Sequence, residues 1–559
     1  MTASTAASLA ASVSELDTRA AALLSELQGL QHNPVHPETL SEWLRTYSRI
    51  KCELQTLWME CSLATARDSN DGQAQAIYQR LMETWIPTLE TYDEPLARMA
   101  LSAGAAETHP GIALKLEADL GGQHTEELRE LLAQERLLRS QYNTITSNQK
   151  VELSGTSLTA REALNRLSST QEARERESIW QAIKGSNLSV ARDLDALFTK
   201  LLRARQQVAV HAGKANYAEY VWQQTNREYS IQDAVELLDG IAEVFADLTA
   251  RVDNDRAGRL GLERLRPWDL TVKLNSPTSN ALRVDDYVAT AEQVMERLDP
   301  GFGSIIRKLE VEGRFDLSPR LGKARGNFAA HLLVYGTSEV LCNLTGGLEE
   351  FRTLLHELGH AVHWNFISAD PESTFWDFYN FHEVCEFYAF AFTILGTYRV
   401  LEDFELSQED QRRYKRYLAE SFLSRLRDVD ERVRIELWLY QQTQDVSTEE
   451  VDAHYVELYH RPAVDWSGHE DILRKGWQNQ FLFLHSFYNI EYSIATVAVL
   501  LFMKSYEEDP QGAMLRMKKA IRMGATAGST AIFTEVGVQF PFSKEQLVTA
   551  RDVLAEWLI

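Results

Sequence analysis

A mainly α-helical fold with one small β-sheet is what this sequence predicts, and three observations carry the prediction. Apolar residues recur at three- and four-residue steps over 10–30, 126–137, 185–210, 233–250 and 410–440, the spacing of helices that bury one face. Helix breakers are sparse, 28 Gly and 13 Pro in 559 residues, which suits long helices joined by short loops. One stretch departs from this pattern. From Gly313 to Asn343 the sequence GRFDLSPRLGKARGNFAAHLLVYGTSEVLCN mixes Gly-rich turns with β-prone runs. Within it, His331–Tyr335 and Glu339–Leu344 flank Gly336-Thr337-Ser338, the pattern of a hairpin.

Taken in chain order, the N-terminal MTASTAASLAASVSELDTRAAALL is rich in Ala and Ser. It lacks a basic start and a sustained aliphatic core, and Glu15 and Asp17 interrupt it. It therefore reads as an amphipathic helix and not as a signal peptide. An all-helical N-terminal lobe is placed at about 1–140, and a mainly helical body carrying the sheet at 141–559. Ser154–Ser157 reads as a local loop or strand within that body. The length allows two or three lobes, since single cores stop growing near ~250–300 residues. No repeat of 20–50 residues is evident.

Composition narrows the function classes. A net charge of −24 repels phosphate backbones, so nucleic acid is a poor partner, and the charge serves chiefly to keep the chain soluble. No apolar run approaches the ~20 residues of a membrane span, so no membrane partner is expected. Cys52, Cys61, Cys342 and Cys385 show no paired spacing, which argues against a disulfide framework and for a cytoplasmic location.

The chemistry lies in FRTLLHELGHAVHWNF. On a helix, Phe351, Leu354, Leu355, Leu358, Ala361 and Val362 form one broad apolar face, and His356, His360 and His363 share the other side. Residues i and i+4 sit one turn apart, so His356 and His360 can grip one ion at ~2.0–2.1 Å. Glu357 lies about 100° around the helix, badly placed as a ligand but able to take a proton from a water at the metal. Gly359 costs a helix roughly 1 kcal/mol, so something is expected to pack tightly against it. A catalytic zinc needs a third protein ligand and an open position. In WDFYNFHEVCEFYAFAF, Glu383 follows His360 by 23 residues and is the favoured third ligand, reached by an antiparallel helix after a loop. Glu386, one turn further on, is its competitor.

In combination, GKARGNFAAHL, LLHELGHAVH, FHEVCEF and WQNQFLFLHSFYNIEYSIATVAVL resemble the oligoendopeptidase F branch of the thimet-oligopeptidase-like zinc peptidases. YNTITSNQKVELSG (142–155), LGLERLRPWDL (260–270), GRFDLSPR (313–320) and VDWSGHE (464–470) extend the likeness to most of the chain beyond about 140. The resemblance implies an ellipsoidal helical fold with a deep substrate channel and one Zn2+ per chain, held by His356, His360 and Glu383. It also implies Glu357 as general base, 141–559 as the catalytic domain, and short unstructured oligopeptides as substrates cut at internal bonds. The run Gly322–Asn327 resembles a substrate-facing loop, and a strand edge beside the metal helix would bind extended peptide backbone.

The chain departs from that family's pattern at several positions. Phe390 stands where the family often has a second Glu supporting a zinc histidine. Anchored on Phe487–Tyr492, Phe481 replaces an expected His, Ser486 a Pro and Asn489 a Tyr, while Tyr488 and Tyr492 remain. His485 lies one helical turn beyond Phe481 and, on a continuous helix, would share its face. Tyr488, Tyr492 and His485 are thus the candidate donors to a developing oxyanion, worth roughly 3–4 kcal/mol per good donor. Two other readings stand beside the endopeptidase. One is a carboxypeptidase or dipeptidyl carboxypeptidase on the same site. The other is a non-catalytic peptide-binding relative, suggested by Phe390, Phe481 and Asn489 and opposed by the intact Glu357.

Overall fold

The structure, a computed structural model, describes residues 12–68, 70–120, 125–147, 149–274, 282–320, 322–324, 326–378, 382–403, 407–459 and 461–559. Helices dominate, and the strands are few and short, as the periodicity predicts. The chain forms two compact units, each assembled from three segments. One comprises Met1–Gly121, Pro277–Gln411 and Ala495–Phe540, the other Gly122–Ser276, Arg412–Ile494 and Pro541–Ile559. These are divisions in space, and they interleave along the chain; the expected cut near 140 is a division of sequence.

The first unit begins with Val13–His32, capped by the Ser12 hydroxyl, and Leu40–Arg67. Their apolar stripes meet in a core that includes Leu23, Leu27, Trp43, Leu44, Tyr47 and Trp376. The anticipated hairpin is present, with its first strand set three residues early. Strand β4 (Phe328–Leu332) pairs antiparallel with β5 (Thr337–Leu341). The connection is a short 3-10 turn, Leu333–Tyr335, closed by Gly336 at φ 54, where a side chain would be strained. A third strand the sequence did not reveal, β3 (Phe315–Asp316), lies parallel to β5, so the order is β3-β5-β4 and β4 is an edge. Two residues are too few to show a period.

The loop before β4 is fixed by buried charge. The Lys323 ammonium donates to the carbonyls of Ser318 and Cys342 and to the Asp316 carboxylate, while the Asn343 amide donates to Ala324 and Gly326. Position 325 of the Gly322–Asn327 run lies outside the described residues. One expectation needs correcting. The helical stretch Glu383–Glu402 is long and apolar enough to cross a membrane, yet 83% of its most apolar window is buried inside the protein. It is a core helix that reads as a span because both of its faces are covered.

The second unit contains Glu126–Ser147, Ala173–Ser189, Ala191–His211, Ile231–Leu260 and most of the long helix Gln408–Tyr440. The periodic run at 185–210 is two helices, broken at Val190. Ser154–Ser157 is part of a hairpin, β1 (Val151–Leu153) with β2 (Thr156–Leu158). Its two-residue turn holds Ser154 and Gly155 at φ 52 and 80, the left-handed pair that matches strand twist.

Candidate metal centre

The helix carrying the histidines, Leu348–Ser368, starts at Gly347 and has Glu349 and Glu350 in its first turn, where carboxylates complement the helix dipole. Phe351, Leu354, Leu355, Leu358 and Val362 are fully buried, the face its periodicity marks. Across from it runs His382–Asp403. At Gly359 the two backbones come close. A Cβ built there would lie 2.6 Å from the Ala389 Cα and 3.2 Å from the Tyr388 carbonyl oxygen. The backbones touch, and only glycine permits it.

This contact sets which side chains converge. The His356 and His360 rings are 5.0 Å apart, and a Glu386 carboxylate oxygen lies 3.5 Å from His356 Nε2, another 3.9 Å from His360 Nε2. One ligand atom from each of the three lies within 4.8 Å of the others. Two ligands ~2.0–2.1 Å from a tetrahedral zinc are about 3.3 Å apart, so the trio needs only a small contraction to hold an ion. His360 Nδ1 is buried with no hydrogen-bond partner, and burial holds the ring below the ordinary imidazole range against the pull of Glu386. A neutral imidazole is the form that binds metal. The residues present therefore fit zinc.

Glu383, the expected third ligand, is buried but lies outside this group. The difference is one of helical phase. Residues i and i+3 point about 60° apart, and the Gly359–Ala389 contact, invisible to residue counting, sets which of them faces the histidines. His363, read with the other two histidines, is fully buried, its ring 4.5 Å from that of Tyr388, and is not part of the trio.

Glu357 is buried, and its pKa is pushed up to about 8 by burial and then by the negative charge of Glu386, against a hydrogen bond donated by the Ala329 backbone N–H of β4. The hairpin is tied to the same helix. The Asn365 amide donates to Ser338 Oγ, and His331 bridges the hydroxyls of Ser338 (2.8 Å) and Ser368 (2.7 Å).

A sequence profile described as peptidase family M3 matches residues 166–551, more than half of the chain and all of this centre. The chain belongs to peptidase family M3. Members of the family are in general zinc-dependent, and this one is an oligoendopeptidase F-like metallopeptidase. The structure is similar to that of a PZ peptidase A with inhibitor 2, at 19% identity and a TM-score of 0.87, covering 97% of each chain. It is also similar to a protein described as an oligoendopeptidase F from Bacillus anthracis str. Ames (17% identity, TM-score 0.80, 98% of this chain and 96% of that one). Oligoendopeptidase-F from Enterococcus faecium matches at 13% identity and a TM-score of 0.66, covering 98% of each chain. At these identities the likeness is one of fold. No curated protein sequence matches.

In this M3 peptidase Phe390 sits against the His356 ring at 5.3 Å, so an apolar edge backs that histidine. Tyr488, Tyr492 and His485 belong to the second unit. They form an aromatic group with Phe481: Tyr488 and Tyr492 ring centroids are 5.3 Å apart, Phe481 is 6.2 Å from each, and His485 is 6.1 Å from Tyr488. His485 does not share a helical face with Phe481. The helix Gln480–Leu484 ends before it, the His485 backbone is neither helical nor extended (φ −141, ψ 77), and the chain then turns through Phe487 at φ 60. A buried bulky residue in that region is strained. The turn is held on both sides: Phe487 N–H donates to Glu436 (2.9 Å), and Arg227, paired with Glu491, donates to the Phe487 carbonyl (3.0 Å). Burial of its ring among neighbouring groups, then the charges of Arg139 and Arg205, hold His485 below the ordinary imidazole range, although the residue is exposed.

Residue reading missed Arg425 and Arg432, which lie over the rings of Tyr492 (5.3 Å) and Phe481 (5.6 Å). A signal existed. Tyr417, Ser421, Ser424, Asp428 and Arg432 recur at three- and four-residue steps, a polar stripe opposite the apolar one on the same helix.

Proposed function

We propose that this M3 metallopeptidase is an endopeptidase that cuts internal bonds of short, unstructured peptides, with Glu357 as the general base. The observation that carries this reading is the position of Glu357, next to His356 on the metal helix, buried beside the trio and anchored by the Ala329 N–H of β4. His356, His360 and Glu386 hold the metal. Zinc held there would supply Lewis-acid polarisation of the scissile carbonyl and of the attacking water. Glu357 then accepts the proton of the attacking water and returns it to the leaving amine.

The edge strand β4 supports the substrate class. The Ala329 N–H donates to Glu357, while its partner Val340 directs its own N–H to Arg314 of the β3 side. The free edge of β4 therefore runs past the base, and an extended peptide added there is held by its backbone with little regard to sequence. The oxyanion role of Tyr488, Tyr492 and His485 rests on the family resemblance. The break after Leu484 removes the shared-face argument for His485 and leaves the two tyrosines as the better donors.

Digestion of a mixed peptide library with mass-spectrometric mapping of the cuts tests this. Internal cuts that vanish with chelator are expected, and Glu357→Gln should keep zinc and fold while losing at least ~10³-fold in kcat. Retained turnover in Glu357→Gln would remove it as base. Release of terminal residues alone would favour the exopeptidase reading.

A further inference from the structure

The second unit contains a cavity of about 490 Å³, within the usual range of ligand sites. Its lining includes Ser424, Asp428 and Arg432 of the polar stripe on the long helix, with Arg425 beside them, and the rings of Tyr492 and Phe481 that lie against Arg425 and Arg432. The chain as a whole carries 81 acidic against 57 basic residues. The cavity reverses that balance: Arg256, Lys273, Arg425 and Arg432 line it against only Glu420 and Asp428. Both of those carboxylates are engaged by arginines. Glu420 accepts from Arg416 (3.0 Å) and Arg256 (3.3 Å), and Asp428 is paired with Arg461.

Arg432 is different. It is half-buried and among the described residues forms no ion pair; the buried Glu436, one turn along, feels its charge but accepts from the Phe487 N–H. Its guanidinium is placed by two neutral groups, the Phe481 ring at 5.6 Å and the fully buried Asn489, whose Oδ1 accepts from Nη1 at 3.5 Å. Phe481 and Asn489 are two of the positions at which this chain departs from the family pattern. Both departures thus meet at one cation. A half-buried guanidinium with a neutral cradle and an open side is a site for a planar anion, which it can hold through two parallel N–H donors. Tyr492 lines the same cavity and belongs to the aromatic group that the resemblance connects with substrate.

We propose that Arg432 binds a carboxylate of the substrate peptide in this cavity, foremost the free C-terminal carboxylate. The proposal rests on the peptidase reading for the identity of the ligand. Arg432 is then a specificity-determining residue that selects peptides by a carboxylate.

The test is binding without turnover, on the full-length, zinc-loaded Glu357→Gln protein. Fluorescence anisotropy compares an N-terminally labelled decapeptide as the free acid and as the C-terminal amide. A third arm uses amides carrying Asp or Glu near the C-terminus in place of Asn or Gln. The free acid should bind about tenfold or more tighter than the amide, the gap should close in Arg432→Gln, and Arg432→Lys should keep part of it. A preference that follows the side-chain carboxylate and not the terminus supports the site and reassigns its source. Equal binding of acid and amide in the parent protein, which needs no Arg432 variant to fold, overturns the proposal. So does a gap unchanged in Arg432→Gln. Binding that discriminates while the wild type cuts no peptide would defeat the peptidase reading and leave the carboxylate site standing.

Discussion

The metal centre and the aromatic–arginine group are built in opposite ways. The first rests on two unbroken helices whose backbones touch at Gly359 and Ala389, so its side chains follow from helical phase. The second gathers around a break, where a helix stops at Leu484 and Phe487 takes up a left-handed conformation. Regular geometry positions groups by repetition; a strained turn positions them only because surrounding contacts over-determine it. The histidines and Glu357 could accordingly be placed from spacing alone, whereas His485 could not.

The largest effect should come from the third ligand. Glu386→Ala should lower zinc affinity by more than the roughly 10–100-fold that loss of a supporting residue costs, and Glu383→Ala by less. Metal content after dialysis against a graded zinc buffer would read this directly. Zinc lost only in Glu383→Ala would return that residue to the site and show that one turn of helical phase had been misassigned.

Next comes the strained turn. Burial pushes the Glu436 carboxyl up to about 8, opposed by the Phe487 N–H it accepts and by Arg205, Arg227 and Arg432. Below about pH 4.5 the carboxyl is protonated in both folded and unfolded chains. Between there and pH 8 the folded state binds more protons, so stability from this group is full at low pH and is lost as pH rises through about 8. Glu436→Gln removes the titration and keeps an acceptor for Phe487. Urea unfolding at pH 5 and 8 should show the variant losing less stability over that interval, by a few kcal/mol at most. An identical pH slope in both proteins would mean the turn is held without a proton, and the contrast with the metal centre would weaken.

How much could be read in advance follows from the same contrast. The helices and their buried faces were legible because period 3.6 repeats over many turns, and the hairpin because Gly336 and β-prone runs mark it. Strand β3 was too short to show a pattern. The choice between Glu386 and Glu383 depends on the inter-helix contact at Gly359, which spacing does not encode. Arg432 escaped notice because charged residues on a long helix ordinarily face solvent, and its cradle comes from residues 49 and 57 positions away in sequence.

Gly359 itself gives the smallest and most direct test. In a solvated helix Gly→Ala would stabilise by roughly 1 kcal/mol through helix propensity. Here the added Cβ would meet backbone, the Ala389 Cα at 2.6 Å, and backbone cannot rotate aside as a long side chain can. The two helices must separate, at a cost of about 1–3 kcal/mol typical of overpacked cores. Because Glu386 lies on the displaced helix, separation also draws its carboxylate away from His356 and His360. Gly359→Ala should therefore lose stability in denaturant unfolding and bind zinc more weakly, the two changes arising from one displacement. A variant as stable as wild type with undiminished zinc affinity would show that the helices can slide without cost, and that their contact does not set the geometry of the metal centre.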